Sequence, residues 1–375
     1  MSPPVVVVAG AMAAKPGNGG EAWVRLGWVR GLQQLGCDVR FVEVADVPPA
    51  GAAVEWFSAV TGWAGLAGRA SLLDPQGTSL VGPDASALAD VAGVADLLLD
   101  VSGNLRGGSA VDALRGSVRR RAYVDVDPGY TQLWAARGLL GDHLADYDLH
   151  LTIGDAVATC GLPTAGVRWH GIRPPVVLAD WPVTGGHPAV LSTVATWRGA
   201  FGPVELDGRS LGTKVHEFRR LAAVPHQVPQ RCEVALDIHA ADAADVDQLR
   251  DGGWEVRDPA ALTGTPAAYR SFIQASGGEL SAAQGVYVGT ACGWTSDRTA
   301  AYLASGKPAV VQDTGFGPEL RGSALLPFCS PQQAAAACRE VARDPAGYSA
   351  AARDLAEQHF ASDRVLAGVL DLAGL

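Results

Sequence analysis

The sequence has no excess of basic residues: 29 Lys and Arg stand against 39 Asp and Glu, a formal net charge of −10. A broad nucleic-acid or anionic-membrane surface needs a basic face, so both partner classes are disfavoured. The six cysteines, at 37, 160, 232, 292, 329 and 338, form no CxxC pair and resemble neither a zinc knuckle nor a disulfide framework. Reduced, mostly buried thiols are expected. No stretch reaches the roughly 18 uninterrupted apolar residues of a membrane span. None of the eight histidines forms a metal pair, so His150, His170 and His239 read as structural. No repeat of fixed period is visible.

The composition present is that of a folded chain. With 48% apolar and 18% charged residues, it has ample material for buried cores without the charge of a disordered segment. Its 375 residues exceed one ordinary core, so two domains are expected. Residues 5–14, VVVVAGAMAA, have the apolar run and small-residue ending of a signal peptide, but the preceding MSPP carries no positive side chain. Residues 15–36 fit the loop and helix that come after a first buried strand. The strand reading is preferred, and with it a cytoplasmic location.

Strands alternate with helices along the chain. VVVVAG, the Gly-rich KPGNGG, a helix from Glu21 to Gly36 and the strand CDVRFVEV make a βαβ opening. Residues 47–90 are rich in Ala, Gly and Pro and support no assignment beyond some helix. ADLLLDVSGN (95–104), RRAYVDVDPG (120–129) and DLHLTIGD (148–155) each read as a buried strand running into a polar turn. Ligands of open parallel sheets gather at such strand ends. The Pro- and Gly-dense segment 171–188 marks a linker. Beyond it AVLSTVATW, a helix after Gly212, CEVALDIH, WEVRD, GVYVGT (285–290) and KPAVVQD (307–313) renew the alternation, and Ala-rich helical spacing runs from Pro331.

The most informative stretch is GVYVGTACGWTSDRTAAYLASGKPAVVQDTGFG (285–317). A strand enters a small-residue turn, Thr295 or Ser296 caps the next helix, and a second strand comes after Gly306-Lys307-Pro308. A helix that starts at a sheet edge turns free amides and its positive dipole end toward the crevice, a physical site for a diphosphate. Ser296 adds a hydroxyl and Arg298 a charge, while Asp297 favours the dipole or accepts a ribose or sugar hydroxyl. The plainer alternative is that Ser296 and Asp297 cap the helix and Arg298 is solvated.

This pattern is similar to the C-terminal lobe of glycosyltransferases of GT-B architecture. SGGELSAAQGVYV and GWTSDRTAAYLASGKPAVVQDTGF resemble more closely a bacterial family of glycosyltransferases of undefined substrate. GLQQLGCDVRFVE, LDVSGN, YVDVDPGY, VVLADWP and LGTKVHEF extend the resemblance over most of the chain. It implies an α/β chain of two Rossmann-like, doubly wound domains facing across a cleft: 1–178 for the acceptor, 188–350 for the nucleotide-sugar donor, and a C-terminal helix in 351–375 packing back on the first. Trp294, Thr295, Ser296, Asp297 and Arg298 then meet the donor, with Thr314, Gly315 and Phe316 beside the sugar. Lys214 neutralises the leaving diphosphate, and Glu279 holds the ribose diol. A solvated lysine and a surface glutamate are the alternatives; Arg198 and Arg209 are weaker rivals to Lys214.

Gly17, Asn18, Gly19 and Gly20 form a loop that is not GxGxxG, which disfavours a plain dinucleotide site. The resemblance turns this loop toward the acceptor, with Ser102, Asn104 and Tyr130 lining the same cleft. Of Asp125 and Asp127 in YVDVDPGY, only one is expected to reach the cleft. Asp127 is favoured as general base or acceptor anchor; the alternative is that it fixes its own Pro128-Gly129 turn. Despite the DxD spelling no metal is expected, since GT-B enzymes generally need none, and no tightly bound cofactor is expected either.

The departures matter too. The glutamate pair of retaining members falls here on Gly293 and Ala301, so this motif sets no stereochemical outcome. Gln284 stands where the close family tends to show Lys. The function expected is transfer from a nucleotide-diphosphate sugar to a small molecule, such as a natural product, or to a polysaccharide. Two alternatives share the fold: a nucleotide-sugar epimerase or hydrolase, and a non-catalytic nucleotide-sugar-binding subunit.

Overall fold

A computed structural model describes residues 2–45, 51–106 and 109–375. The first sheet contains β1 (Val5–Ala9), β2 (Asp38–Val44), β3 (Ala70–Leu73), β4 (Ser79–Val81), β5 (Leu97–Val101), β6 (Arg121–Asp125), β7 (Leu149–Thr152) and β8 (Trp169–Gly171). They lie in the order β4-β3-β2-β1-β5-β6-β7-β8, all parallel except the β3–β4 pair. Its helices are α1 (Gly19–Gln34), α2 (Gly51–Trp63), α3 (Ala85–Ala92), α4 (Ser109–Ser117) and α5 (Tyr130–Ala136).

The second sheet begins with β9 (His187–Thr196), and a small antiparallel hairpin comes next, β10 (Val204–Leu206) with β11 (Arg209–Leu211). It then takes β12 (Arg231–Asp237), β13 (Trp254–Arg257), β14 (Ser276–Ser281), β15 (Ala309–Gln312) and β16 (Leu325–Phe328) in the all-parallel order β13-β12-β9-β14-β15-β16. Between and after these strands run α6 (Lys214–Arg220), α7 (Ala243–Asp251), α8 (Pro259–Thr263), α9 (Pro266–Ala275), α10 (Gly285–Thr290) and α11 (Asp297–Ala304). The chain ends in α12 (Pro331–Arg343), α13 (Pro345–His359) and α14 (Ser362–Ala373).

Both sheets reverse direction once, between β1 and β5 and between β9 and β14, and the crevices beyond those strand ends are where doubly wound sheets bind ligands. The central strands are apolar throughout because helices cover both faces, as Val6–Ala9 and Leu97–Leu99 illustrate. Each buried Val or Leu among them contributes about 1.5–3 kcal/mol. One apolar cluster runs from Leu26 of α1 through Ala300 and Leu303 of α11 to Phe360 and Leu366. The last helix, α14, lies on α1, where a Cβ on Gly31 would stand 2.5 Å from Leu366 Cδ1. Residues 47–90, opaque in sequence, supply α2, β3, β4 and α3, with 46–50 outside the described residues.

Residues 285–290 are not the expected strand. The strand is Ser276–Ser281, and GVYVGT forms α10. Val286, Tyr287 and Thr290 are buried, and Gly285 starts the helix so close to Gly212 that a Cβ would stand 2.5 Å from the Gly212 carbonyl. Tertiary packing overrides the β-branched local preference. No helix among the described residues is long and apolar enough to cross a membrane.

Candidate active site

A cavity of about 290 Å³ lies between the two halves. The first half lines it with Lys15, Glu21, Arg25, Ser102, Asn104 and Asp127, and the second with Tyr269, Tyr287, Trp294, Asp297 and Ala301. A second cavity, of about 430 Å³, opens on the first-half side. Ser102, Asn104, Val126, Asp127 and Phe201 line both.

Local chemistry holds the first-half wall in place. The loop after β1 is pinned by the buried Glu43 of β2, whose carboxylate accepts from the amides of Met12 (2.6 Å), Ala13 (2.8 Å) and Ala14 (3.1 Å). Asn18 caps α1 by accepting from the Glu21 amide at 3.1 Å. Gly19 and Gly20 are the first residues of α1, not loop, and press against the other half. A Cβ on Gly19 would stand 2.3 Å from the Thr265 carbonyl, and one on Gly20 2.9 Å from the Tyr269 ring. Gly17 has φ +77° and open space around it. Glu21 joins Lys15 and Arg25 in ion pairs; burial pushes its carboxyl up, but the two cations win and hold it below the usual range.

The two aspartates after β6 diverge. Asp125 is fully buried and accepts from Thr131 Oγ1 (2.7 Å), Gln132 Nε2 (2.8 Å), Thr152 Oγ1 (2.8 Å) and the Asp127 amide (3.0 Å). It fixes the turn. Asp127 lines both cavities, and its Oδ1 accepts from Tyr287 Oη across the cleft at 2.7 Å. Burial pushes its carboxyl up to about 6, against the hydrogen bond from Tyr287. Ser102 has φ +68°, a strained backbone conformation of the kind that clusters at functional sites. Tyr130, expected to line the cleft, is instead buried against Trp134, Phe201 and Tyr287, because it opens α5 facing the aromatic cluster.

In the second half, the turn before α11 is tied to both halves through its backbone. The Ala156 amide donates to the Cys292 carbonyl (3.0 Å), the Gly293 amide donates to the Thr314 carbonyl (2.7 Å), and Thr314 Oγ1 donates to the Trp294 carbonyl (2.6 Å). Trp294 stacks on Tyr287 with ring centroids 4.3 Å apart. Ser296 caps α11 by accepting from the Arg298 amide at 3.2 Å. Asp297 faces the cavity, and burial, with the charge of Glu21 adding, pushes its carboxyl up to about 6.

Arg298 and Glu279 depart from the expected roles. Arg298 turns back to the sheet and donates to Glu279 Oε1 (2.7 Å), the Val194 carbonyl (2.8 Å) and Ser281 Oγ (2.5 Å). Glu279 has no exposed surface. A buried carboxylate needs such a partner, and the pair occupies each other beneath the cleft instead of standing open to phosphate and ribose. Thr295, Thr314 and Phe316 are likewise buried as supports of the turn, and a Cβ on Gly315 would stand 2.4 Å from the Ala291 carbonyl.

Lys214 opens α6, its amide donating to Gln284 Oε1 at 2.7 Å. Burial, with the charge of Arg298 adding, lowers its ammonium to about 7, while Glu279, Asp297 and Asp127 pull the other way. Gln284, standing where a lysine was expected, thus positions Lys214. Arg198 is held by Asp242. His150 Nε2 is bonded to the Leu144 carbonyl, and His239 caps a short turn.

Several contributors were not evident in the sequence: Tyr287, Lys15, Glu21, Arg25 and Glu43. The i,i+4 spacing of Glu21 and Arg25 beside the Gly-rich loop was the available signal. Arg25 Nε and Trp294 Nε1 are buried without a hydrogen-bond partner among the described residues, and both residues line the first cavity. Such orphaned donors suit a ligand rich in oxygen acceptors. No cluster of metal-ligating side chains occurs among the described residues.

No family model matches the chain, and no curated protein matches it in sequence. Solved structures match it in fold. HepE of Anabaena, in complex with UDP and glucose, superposes with a TM-score of 0.63 at 14% identity over 99% of this chain and 100% of its own. AviGT4, a glycosyltransferase involved in avilamycin A biosynthesis, gives 0.57 at 14% identity over 99% and 97%. Sucrose-phosphate synthase from Thermosynechococcus elongatus gives 0.54 at 12% identity over 98% of each chain. The chain therefore has the GT-B fold, two Rossmann-like sheets facing across a cleft.

Proposed function

We propose that this chain transfers a sugar from a nucleotide-diphosphate sugar to an acceptor hydroxyl. The observation that carries the reading is the position of Asp127, a carboxylate lining two cavities at once and facing Asp297 and Trp294 across the first of them. The UDP bound to HepE supports the same reading by analogy of fold. In this account the sugar occupies the first cavity and the acceptor the second.

The acceptor oxygen forms a bond to the anomeric carbon while the bond from that carbon to the diphosphate oxygen breaks, and the electron pair leaves with the nucleotide diphosphate. The acceptor's proton passes to Asp127, whose second oxygen is not engaged by Tyr287. Charge building on the leaving diphosphate is met by Lys214 and the amide end of α11. Asp297 accepts a sugar hydroxyl. Glu279 and Arg298 act from beneath by holding strand and helix together. Residues 1–178 then serve the acceptor, 188–350 the donor, and the last helix joins them, with the protein working in the cytoplasm and without a metal.

Calorimetric titration with UDP, GDP, ADP and TDP tests the donor side. One of the four is expected to bind, and Lys214→Ala to weaken it about 10- to 100-fold, the range for a hydrogen bond to a charged group. Absence of binding by all four overturns the reading.

A further inference from the structure

We infer that the acceptor is a flat apolar molecule carrying a reactive hydroxyl, a hydroxylated aromatic compound and not a glycan. The inference rests on the transfer reading and adds the chemistry of the second cavity. One wall is apolar, opposite the polar ends of β5 and β6: Trp134 of α5, Leu139 and Leu140 beyond it, and Phe201 from the loop between β9 and β10. Trp134 and Phe201 meet edge to face, with ring centroids 4.8 Å apart, and Tyr130 packs against both, at 5.4 and 5.1 Å. The aromatic wall is therefore preorganised, and it takes one ring from each half of the molecule.

Part of the polar lining of this cavity is engaged already, while the Ser102 hydroxyl and the terminal nitrogens of Arg106 at its edge have no hydrogen-bond partner among the described residues. Asp125 is occupied by Thr131 and its other partners, the Asn104 amide donates to the Val101 carbonyl (2.7 Å), and Arg106 Nε donates to the Gly103 carbonyl (2.8 Å). A sugar ring presents hydroxyls around its whole edge and needs matching partners on several sides. Here the second oxygen of Asp127 is the charged acceptor open at the floor. One hydroxyl directed there, with an apolar body against the rings, matches that distribution. Leu139 points the same way: it is 67% exposed at the cavity edge, apolar surface that an apolar ligand would remove from water.

Binding of 4-methylumbelliferone to the full chain, followed by calorimetry without donor, tests the inference separately from the transfer reading. The compound is expected to bind at sub-millimolar concentration while methyl α-glucoside and maltose do not. Phe201→Ala and Leu139→Ser are expected to weaken it about tenfold; Leu139, being exposed, accepts Ser without loss of the fold. Binding of the saccharides in place of the aromatic compound, no binding of the aromatic, or indifference to both substitutions overturns the inference. A failed nucleotide titration counts against the transfer reading alone.

Discussion

At the scale of the residue, burial brings an acid in the cleft and a base at the start of α6 toward neutrality. The Asp127 carboxyl is raised to about 6 and the Lys214 ammonium lowered to about 7. A general base must be ionised, so kcat/KM should rise with pH through about 6. Lys214 must be charged to meet the diphosphate, so it should fall again above about 7. Tyr287 donates to the ionised form of Asp127, so Tyr287→Phe raises the Asp127 pKa and moves the acid limb of kcat/KM to higher pH. A limb that stays put while only the rate changes would mean that Tyr287 packs without tuning.

Strand alternation alone would put Asp125 and Asp127 on one face; they separate because β6 ends at Asp125 and Asp127 lies in the turn after it. Tyr287 was not legible, because it lies 160 residues from the carboxylate it touches and was expected inside a strand. Arg298 misled for a related reason. Its charge is evident in sequence, but the buried Glu279 that turns it away from the cleft lies on the preceding strand.

At the scale of the element, parallel strands covered on both faces give apolar β-branched runs, so β1, β2, β5, β6, β7, β9, β12 and β15, with β13 at the sheet edge, could be read directly. Among the exceptions, β14 was not read as a strand and α10 was read as one: its residues have strand preferences, but its Gly285 and Tyr287 are fixed by packing. The turn after α10 is the joint between the halves. Gly293 has φ +77°, and a Cβ there would stand 2.8 Å from the Ala156 amide nitrogen. Gly293→Ala therefore combines left-handed strain of about 1–2 kcal/mol with a clash across the cleft. Thermal melting should fall by several degrees, and nucleotide affinity should fall with it. Wild-type melting and binding would show that the turn tolerates a side chain and does not join the halves tightly.

At the scale of the molecule, two sheets with the same kind of strand order set their reversal points toward one cleft, and α14 returns to α1 to brace the first half. The alternation of elements foretold the sheets, but not which side chains meet between them, since those contacts join segments remote in sequence. Asp127 stands at that meeting, between two cavities. The most direct test is nucleotide diphosphate release from UDP-, GDP-, ADP- and TDP-glucose, with and without 4-methylumbelliferone, by wild type and Asp127→Asn. The account predicts release that depends on the acceptor and falls roughly 100-fold or more in the variant, the scale of general base catalysis. Release that ignores the acceptor, or survives the loss of Asp127, would contradict it.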